Sequence, residues 1–261
     1  MITIPTEQLF SYNLDIKIIA SKTPTEEITI CCHGYGHNRN IINALSAHHA
    51  LPGNLLGFNF PDHDITNQSD YHHSTFGTLN EILPLLYLLK FYACDLKLPL
   101  INLYGISAGG GAIINALAIL NQYSHADQLQ KIGITLDHAK QILATIENNQ
   151  IILDCPLKSI AEIIASSKNK HDPELNFMHH RYTENNMNPI DALNLLSGLK
   201  LNILLHFQNP DEVLGNRDDA LFAQRLQTAN SGNTTVVIGN DGGHNVWHTS
   251  LWKKYQALHN T

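Results

Sequence analysis

Residues 103–111 read Leu-Tyr-Gly-Ile-Ser-Ala-Gly-Gly-Gly, with Gly105 and Gly109 flanking Ser107 in a G-x-S-x-G pattern. The apolar run Leu100–Tyr104 before it has the character of a buried strand, and Ala112–Gln122 after it that of an apolar helix. A chain that passes from strand to helix in so few residues must turn sharply. Glycines on both sides leave room for that turn, and the serine at its apex is forced outward. The helix start beyond it offers unpaired N–H groups and the positive end of a dipole. A glycine-rich turn into a closely packed helix is the plain structural reading of the same residues. A phosphate loop would require a Lys-Ser/Thr pair, which is absent.

The rest of the chain repeats the strand-then-helix order. Ile28–Cys32, Leu55–Phe60, Leu100–Tyr104, Ile151–Leu153, Leu201–His206 and Thr234–Ile238 read as buried strands. Helical periods occupy Ile41–Ala50, Leu79–Cys94, Ala112–Gln122, Asp127–Ile146 and Asp218–Ala229. Strands joined through helices imply right-handed crossovers and a mostly parallel sheet. The strands are apolar along their length, as a sheet covered by helices on both faces requires. Ahead of Ile28 there is room for a short antiparallel hairpin, with Asp15–Ala20 as its better strand. Residues 156–195 break the pattern, being polar and rich in turn formers. A stretch this long inside a compact domain is usually functional or mobile. It is expected to form a small lid or cap over the sheet; a surface excursion without a role is the alternative.

The 261 residues suit a single α/β domain, 1–261, with a substantial core. The formal charge of −7 is a poor match for phosphate backbones or anionic membranes, so no nucleic-acid partner is expected. No integral membrane segment is expected either, because no apolar run reaches spanning length. The first ten residues lack the basic and apolar regions of a secretory signal. Cys31, Cys32, Cys94 and Cys155 show neither a CxxC pair nor a disulfide-scaffold spacing. Together these features point to a cytoplasmic protein with reduced thiols. The chain has 16 histidines, including the pairs His48-His49, His72-His73 and His179-His180. Sequence neighbours point to different faces of a regular element, and no HExxH spacing occurs, so no metal site is expected.

A serine hydroxyl is a poor nucleophile at neutral pH and needs a base, usually histidine. His244 lies in Gly-Asn-Asp-Gly-Gly-His-Asn, residues 239–245, directly after the last strand. Loops at the C-terminal edge of a parallel sheet are where catalytic groups gather, and glycines permit a close approach. A surface-loop histidine is the plain reading.

The turn around Ser107 and the late loop histidine resemble the α/β-hydrolase superfamily, of the serine esterase and lipase kind. The resemblance covers most of the chain. Ile30-Cys-Cys-His-Gly-Tyr-Gly36 is similar to the H-G segment after the family's third strand, though a tight turn would also use these glycines. Gly57-Phe-Asn-Phe-Pro-Asp-His-Asp64 is similar to the stretch after the fourth strand, and Asn188-Pro-Ile-Asp-Ala-Leu193 to the approach to the seventh. The resemblance implies an oxyanion hole built from the backbone N–H groups of Ala108 and Tyr35. It also implies an acid in the order Ser, Asp, His. Asp211, in Leu205-His-Phe-Gln-Asn-Pro-Asp-Glu-Val-Leu-Gly215, sits in the loop after the seventh strand. The glycine that commonly ends that strand is missing, and Gly215 stands where proline is common. Asp154, after the sixth strand, is the rival acid, and Glu212 a lesser one. Asp241 is too close to His244 in sequence to be a good partner. The implied activity is hydrolysis of a carboxylic ester or thioester through an acyl-enzyme on Ser107, His244 and Asp211. The substrate would be a small acyl compound, and no cofactor is required. An acyltransferase, a peptidase or a catalytically silent binding module on the same fold are the alternatives.

Overall fold

The computed structural model describes residues 14–47, 51–61, 77–161, 164, 173–209, 211, 213–214, 219–240 and 243–244. Among the described residues, seven strands form one sheet: β1 (Ile16–Ile19), β2 (Glu27–Cys32), β3 (Asn54–Phe58), β4 (Leu100–Ile106), β5 (Gln150–Asp154), β6 (Asn202–Gln208) and β7 (Asn233–Gly239). Their spatial order is β1-β3-β2-β4-β5-β6-β7. All neighbours from β3 to β7 pair in parallel. β1 is antiparallel and pairs with β3, not with the next strand in sequence, so no hairpin joins it to β2. The expected antiparallel strand is therefore present, but on the far side of β3.

The side-chain period of two sorts each strand into two layers. Ile28, Ile30 and Cys32 of β2, Leu103 of β4 and Leu153 of β5 join the larger core. Cys31, Tyr104, Ile106 and Ile152 point the other way, onto a smaller cluster with Ile42 and Leu45 of helix α1 (Ile41–Ala47). The larger core is covered by α2 (Leu79–Lys90), which runs into a π-helical turn at Phe91–Asp95, and by α3 (Ala108–Gln122). The continuous helical period over 127–146 is divided in the fold into α4 (Ala126–Lys131) and α5 (Leu136–Glu147). Gly133 takes φ 76° between them, and the Thr135 side chain then caps α5 by accepting the His138 N–H at 3.2 Å.

The polar stretch after β5 contains helix. α6 (Pro173–Glu184) and α7 (Pro189–Ala192) lie within it. Met178 and Tyr182, one turn apart on α6, are 3% and 2% exposed, so one stripe of this mostly polar helix is anchored in the core. α8 (Asp219–Ala229) then connects β6 to β7.

Candidate active site

β4 ends at Ile106 and α3 begins at Ala108, which leaves Ser107 alone to make the turn. Its backbone is at φ 53° and ψ −122°, a region that L residues rarely occupy. Such a conformation costs on the order of 1–3 kcal/mol and persists only when its surroundings hold it. Here the Ser107 N–H donates to the Asp154 carbonyl at 3.0 Å. The Ser107 carbonyl accepts the N–H groups of Leu157 at 2.7 Å, Gly110 at 3.0 Å and Gly111 at 3.2 Å. Glycine is required on either side. A Cβ at Gly105 would fall 2.7 Å from the Gly109 carbonyl oxygen, and one at Gly109 would strike the Cys32 carbonyl. α3 therefore starts four residues earlier than its apolar period indicates, with a helical glycine run that packs against its neighbours.

The segment after β2 lies against this turn. A Cβ at Gly34 would sit 3.1 Å from Ser107 Cβ. His33 is fully buried; its Nδ1 is 2.8 Å from the Gly34 carbonyl oxygen, and its Nε2 accepts the Phe60 N–H at 3.2 Å. Those two bonds set the tautomer with the proton on Nδ1. The Nδ1 bond also holds the carbonyl of the Gly34–Tyr35 peptide.

Asp211 and His244 meet beyond the ends of β6 and β7. His244 Nδ1 lies 2.9 Å from Asp211 Oδ2 and 3.1 Å from Oδ1. Asp211 Oδ1 also accepts the N–H groups of Val213 and Leu214, each at 2.8 Å. Burial pushes the Asp211 carboxyl pKa up, but the His244 hydrogen bond and charge and the two N–H groups outweigh it, leaving the group below the usual aspartate value. His244 Nε2 is buried and has no hydrogen-bond partner among the described residues. The bond from Ser107 Oγ to that nitrogen is thus not closed in this structure; such contacts often tighten only once substrate is bound.

The rival acid has other partners. Asp154 is fully buried and accepts from Tyr104 Oη at 2.8 Å, while its Oδ1 lies 2.7 Å from His206 Nδ1. Glu212 and Asp241 lie outside the described residues. Cys155 stands between the two aspartate–histidine pairs. Its thiol, with Asp154 and His206 on one side and with Asp211 and His244 on the other, completes two groups whose donor atoms all lie within 4.8 Å of one another. Burial raises the Cys155 pKa, and the charges of Asp154 and Asp211 raise it further.

No protein-family model and no curated protein matches this chain significantly. Solved structures do. Est1E of Butyrivibrio proteoclasticus, solved with ferulic acid bound, is 15% identical with a TM-score of 0.61, over 94% of this chain and 93% of its own. The carboxylesterase Cest-2923 of Lactobacillus plantarum is 14% identical at 0.60, over 90% of this chain and 81% of its own. A monoacylglycerol lipase of Paleococcus ferrophilus is 15% identical at 0.59, over 95% and 97%. The chain has the α/β-hydrolase fold. Within an α/β-hydrolase fold, Ser107, Asp211 and His244 all follow C-terminal strand ends on one edge of the sheet. Sequence reasoning gave no role to His206 or Cys155. The one signal for them was that His206 is a polar residue in an apolar strand; the register that sets it opposite Asp154 is not written in a single sequence.

Proposed function

We propose that this protein is a serine hydrolase that cleaves a carboxylic ester or thioester through an acyl-enzyme. The observation that carries the reading is the Asp211–His244 pair, with the far ring nitrogen unpartnered among the described residues, on the same sheet edge as a serine held in a strained turn. Asp211 keeps the proton on His244 Nδ1, which leaves the Nε2 lone pair to take the Ser107 hydroxyl proton. Ser107 Oγ then attacks the acyl carbon, and the carbonyl oxygen becomes an oxyanion. Ala108, at the N-terminus of α3, and Tyr35 supply N–H groups to that oxygen. His244 passes its proton to the leaving alcohol or thiol, and water enters by the reverse steps to release the acid. The structural neighbours, a carboxylesterase and a monoacylglycerol lipase among them, support an ester as substrate. The segment 156–195, rising from the end of β5 beside Ser107, serves as a cap that contacts the remote part of the acyl compound.

The test is covalent. A fluorophosphonate probe should label the native protein at Ser107 and fail to label the heat-denatured one. Ser107→Ala should remove the label and lower p-nitrophenyl acetate turnover by several orders of magnitude. Labelling of another serine in a folded Ser107→Ala protein refutes the assignment.

A further inference from the structure

Cys155 is 1% exposed, beside the proposed acid and base, and the reaction above does not use it. Its sulfur, an Asp211 carboxylate oxygen and a His244 ring nitrogen lie within 4.8 Å of one another. We propose that Cys155, Asp211 and His244 form an inhibitory site for a thiophilic divalent cation, with Zn²⁺ as the type case.

Thiolate, imidazole and carboxylate together are a zinc donor set, whereas hard cations favour oxygen alone. Zinc bond lengths of about 2.0–2.3 Å put tetrahedral donors roughly 3.3–3.7 Å apart. The Nδ1 to Oδ2 distance of 2.9 Å has to open by roughly 0.4–0.8 Å, and the sulfur, within 4.8 Å of the other two donors, has to move in by at most about 1.5 Å. Three protein donors leave the fourth position to water. The charges close as well: a dication, one thiolate and one carboxylate sum to zero, so a buried neutral site results in place of a buried net charge.

The Cys155 thiol loses one proton to solvent. The imidazole stays neutral, but its proton leaves Nδ1, which now binds the metal, and is carried on Nε2 instead. A protonated Nε2 cannot accept the Ser107 proton, and Asp211 is drawn from the ring to the ion. Binding should therefore tighten as pH rises, because a proton is released. The other donor group, Asp154, Cys155 and His206, is closed: its residues are 0%, 1% and 3% exposed, and Tyr104 also holds Asp154. The His244 side chain is 16% exposed, which gives the ion its way in.

That this site binds metal stands on its donors; that binding inhibits rests on the serine-hydrolase reading. The experiment separates the two. Co²⁺ is titrated into the full-length wild-type protein, and thiolate-to-cobalt charge-transfer absorption is followed in the near ultraviolet. Zn²⁺ inhibition of p-nitrophenyl acetate hydrolysis is measured in parallel, with reversal by EDTA and with Mg²⁺ as control. We expect a one-to-one cobalt band and reversible zinc inhibition, with no effect of Mg²⁺. Cys155→Ser should lose the band and need at least tenfold more zinc for inhibition, with metal-free turnover retained. His206→Gln should keep both the band and the inhibition. No band in the wild type, a band retained in Cys155→Ser, or a band lost in His206→Gln each overturns the site. A band that depends on Cys155 in a protein that hydrolyses no ester leaves the metal site standing and removes the serine mechanism.

Discussion

Two aspartates close neighbouring strand ends, and each holds a histidine by Nδ1: Asp154 with His206 at 2.7 Å, Asp211 with His244 at 2.9 Å. They differ in what the second ring nitrogen can reach. His206 sits mid-sheet and is 3% exposed, while the His244 side chain is 16% exposed at the sheet edge where Ser107 turns. Replacing a triad carboxylate by its amide presents the wrong group to the ring and favours the wrong tautomer, a loss of roughly 10⁴ in kcat in a serine protease. Asp211→Asn should show a loss of that order in ester turnover. Asp154→Asn should keep most turnover and instead lower stability by about 1–3 kcal/mol, measured by urea unfolding, because the buried hydrogen bonds to Tyr104 and His206 are weakened. The reverse pattern moves the acid to the end of β5. The serine, its glycines and the late histidine were legible in the sequence because each is a local pattern. The choice between the acids was not, since it depends on the register that sets Asp154 against His206. The lowered Asp211 pKa means that its stabilisation is present above the ordinary carboxylate range and lost as pH falls through the folded value.

α2 carries a less visible ionisable group. Glu81 stands in the first turn, where acids ordinarily face water and complement the dipole. It is only 4% exposed, because α6 lies over it: Tyr182 Oη donates to both carboxylate oxygens at 2.8 and 3.0 Å, and the Gly77 N–H donates at 2.8 Å. Burial lifts the Glu81 pKa from 4.5 to about 7, against the lowering effect of those bonds. The folded state thus binds more protons than the unfolded state between these values, so stability falls as pH rises through this window. The full effect is of order 3 kcal/mol. Glu81→Gln should flatten that fall when urea midpoints are compared at pH 5 and pH 8; an unchanged slope counts against the assignment. Nothing in the sequence joins Glu81 to Tyr182, 101 residues away, in a segment whose polarity masks the helix. Strands and most helices were legible because their apolar period is strong. α6 was not, because its buried stripe is narrow and its other faces are polar.

At the scale of the molecule, six parallel strands bring their C-terminal ends to one edge, and the proposed cap grows from the middle of it. Deleting α6 would bare Glu81 and empty the sites of Met178 and Tyr182, so a test of the cap must leave these in place. Phe177, 46% exposed on the same helix, offers one. A cap touches the remote part of a substrate, whereas a small ester is held mainly at the reacting centre. Phe177→Ala should therefore change kcat/KM for a long-chain p-nitrophenyl ester by up to about tenfold and leave the acetate nearly unchanged. Equal losses on both would give α6 a structural role alone. The loop between β5 and the cap has a further consequence. Ser107 N–H bonds to the Asp154 carbonyl, Cys155 N–H to the His206 carbonyl, and Leu157 N–H to the Ser107 carbonyl, all at 2.7–3.0 Å. These amides lie at or beyond the ends of their strands, yet each is buried and hydrogen-bonded to the core. Deuterium should enter them only when the whole sheet opens, in the slowest-exchanging class, long after it has entered exposed turns elsewhere.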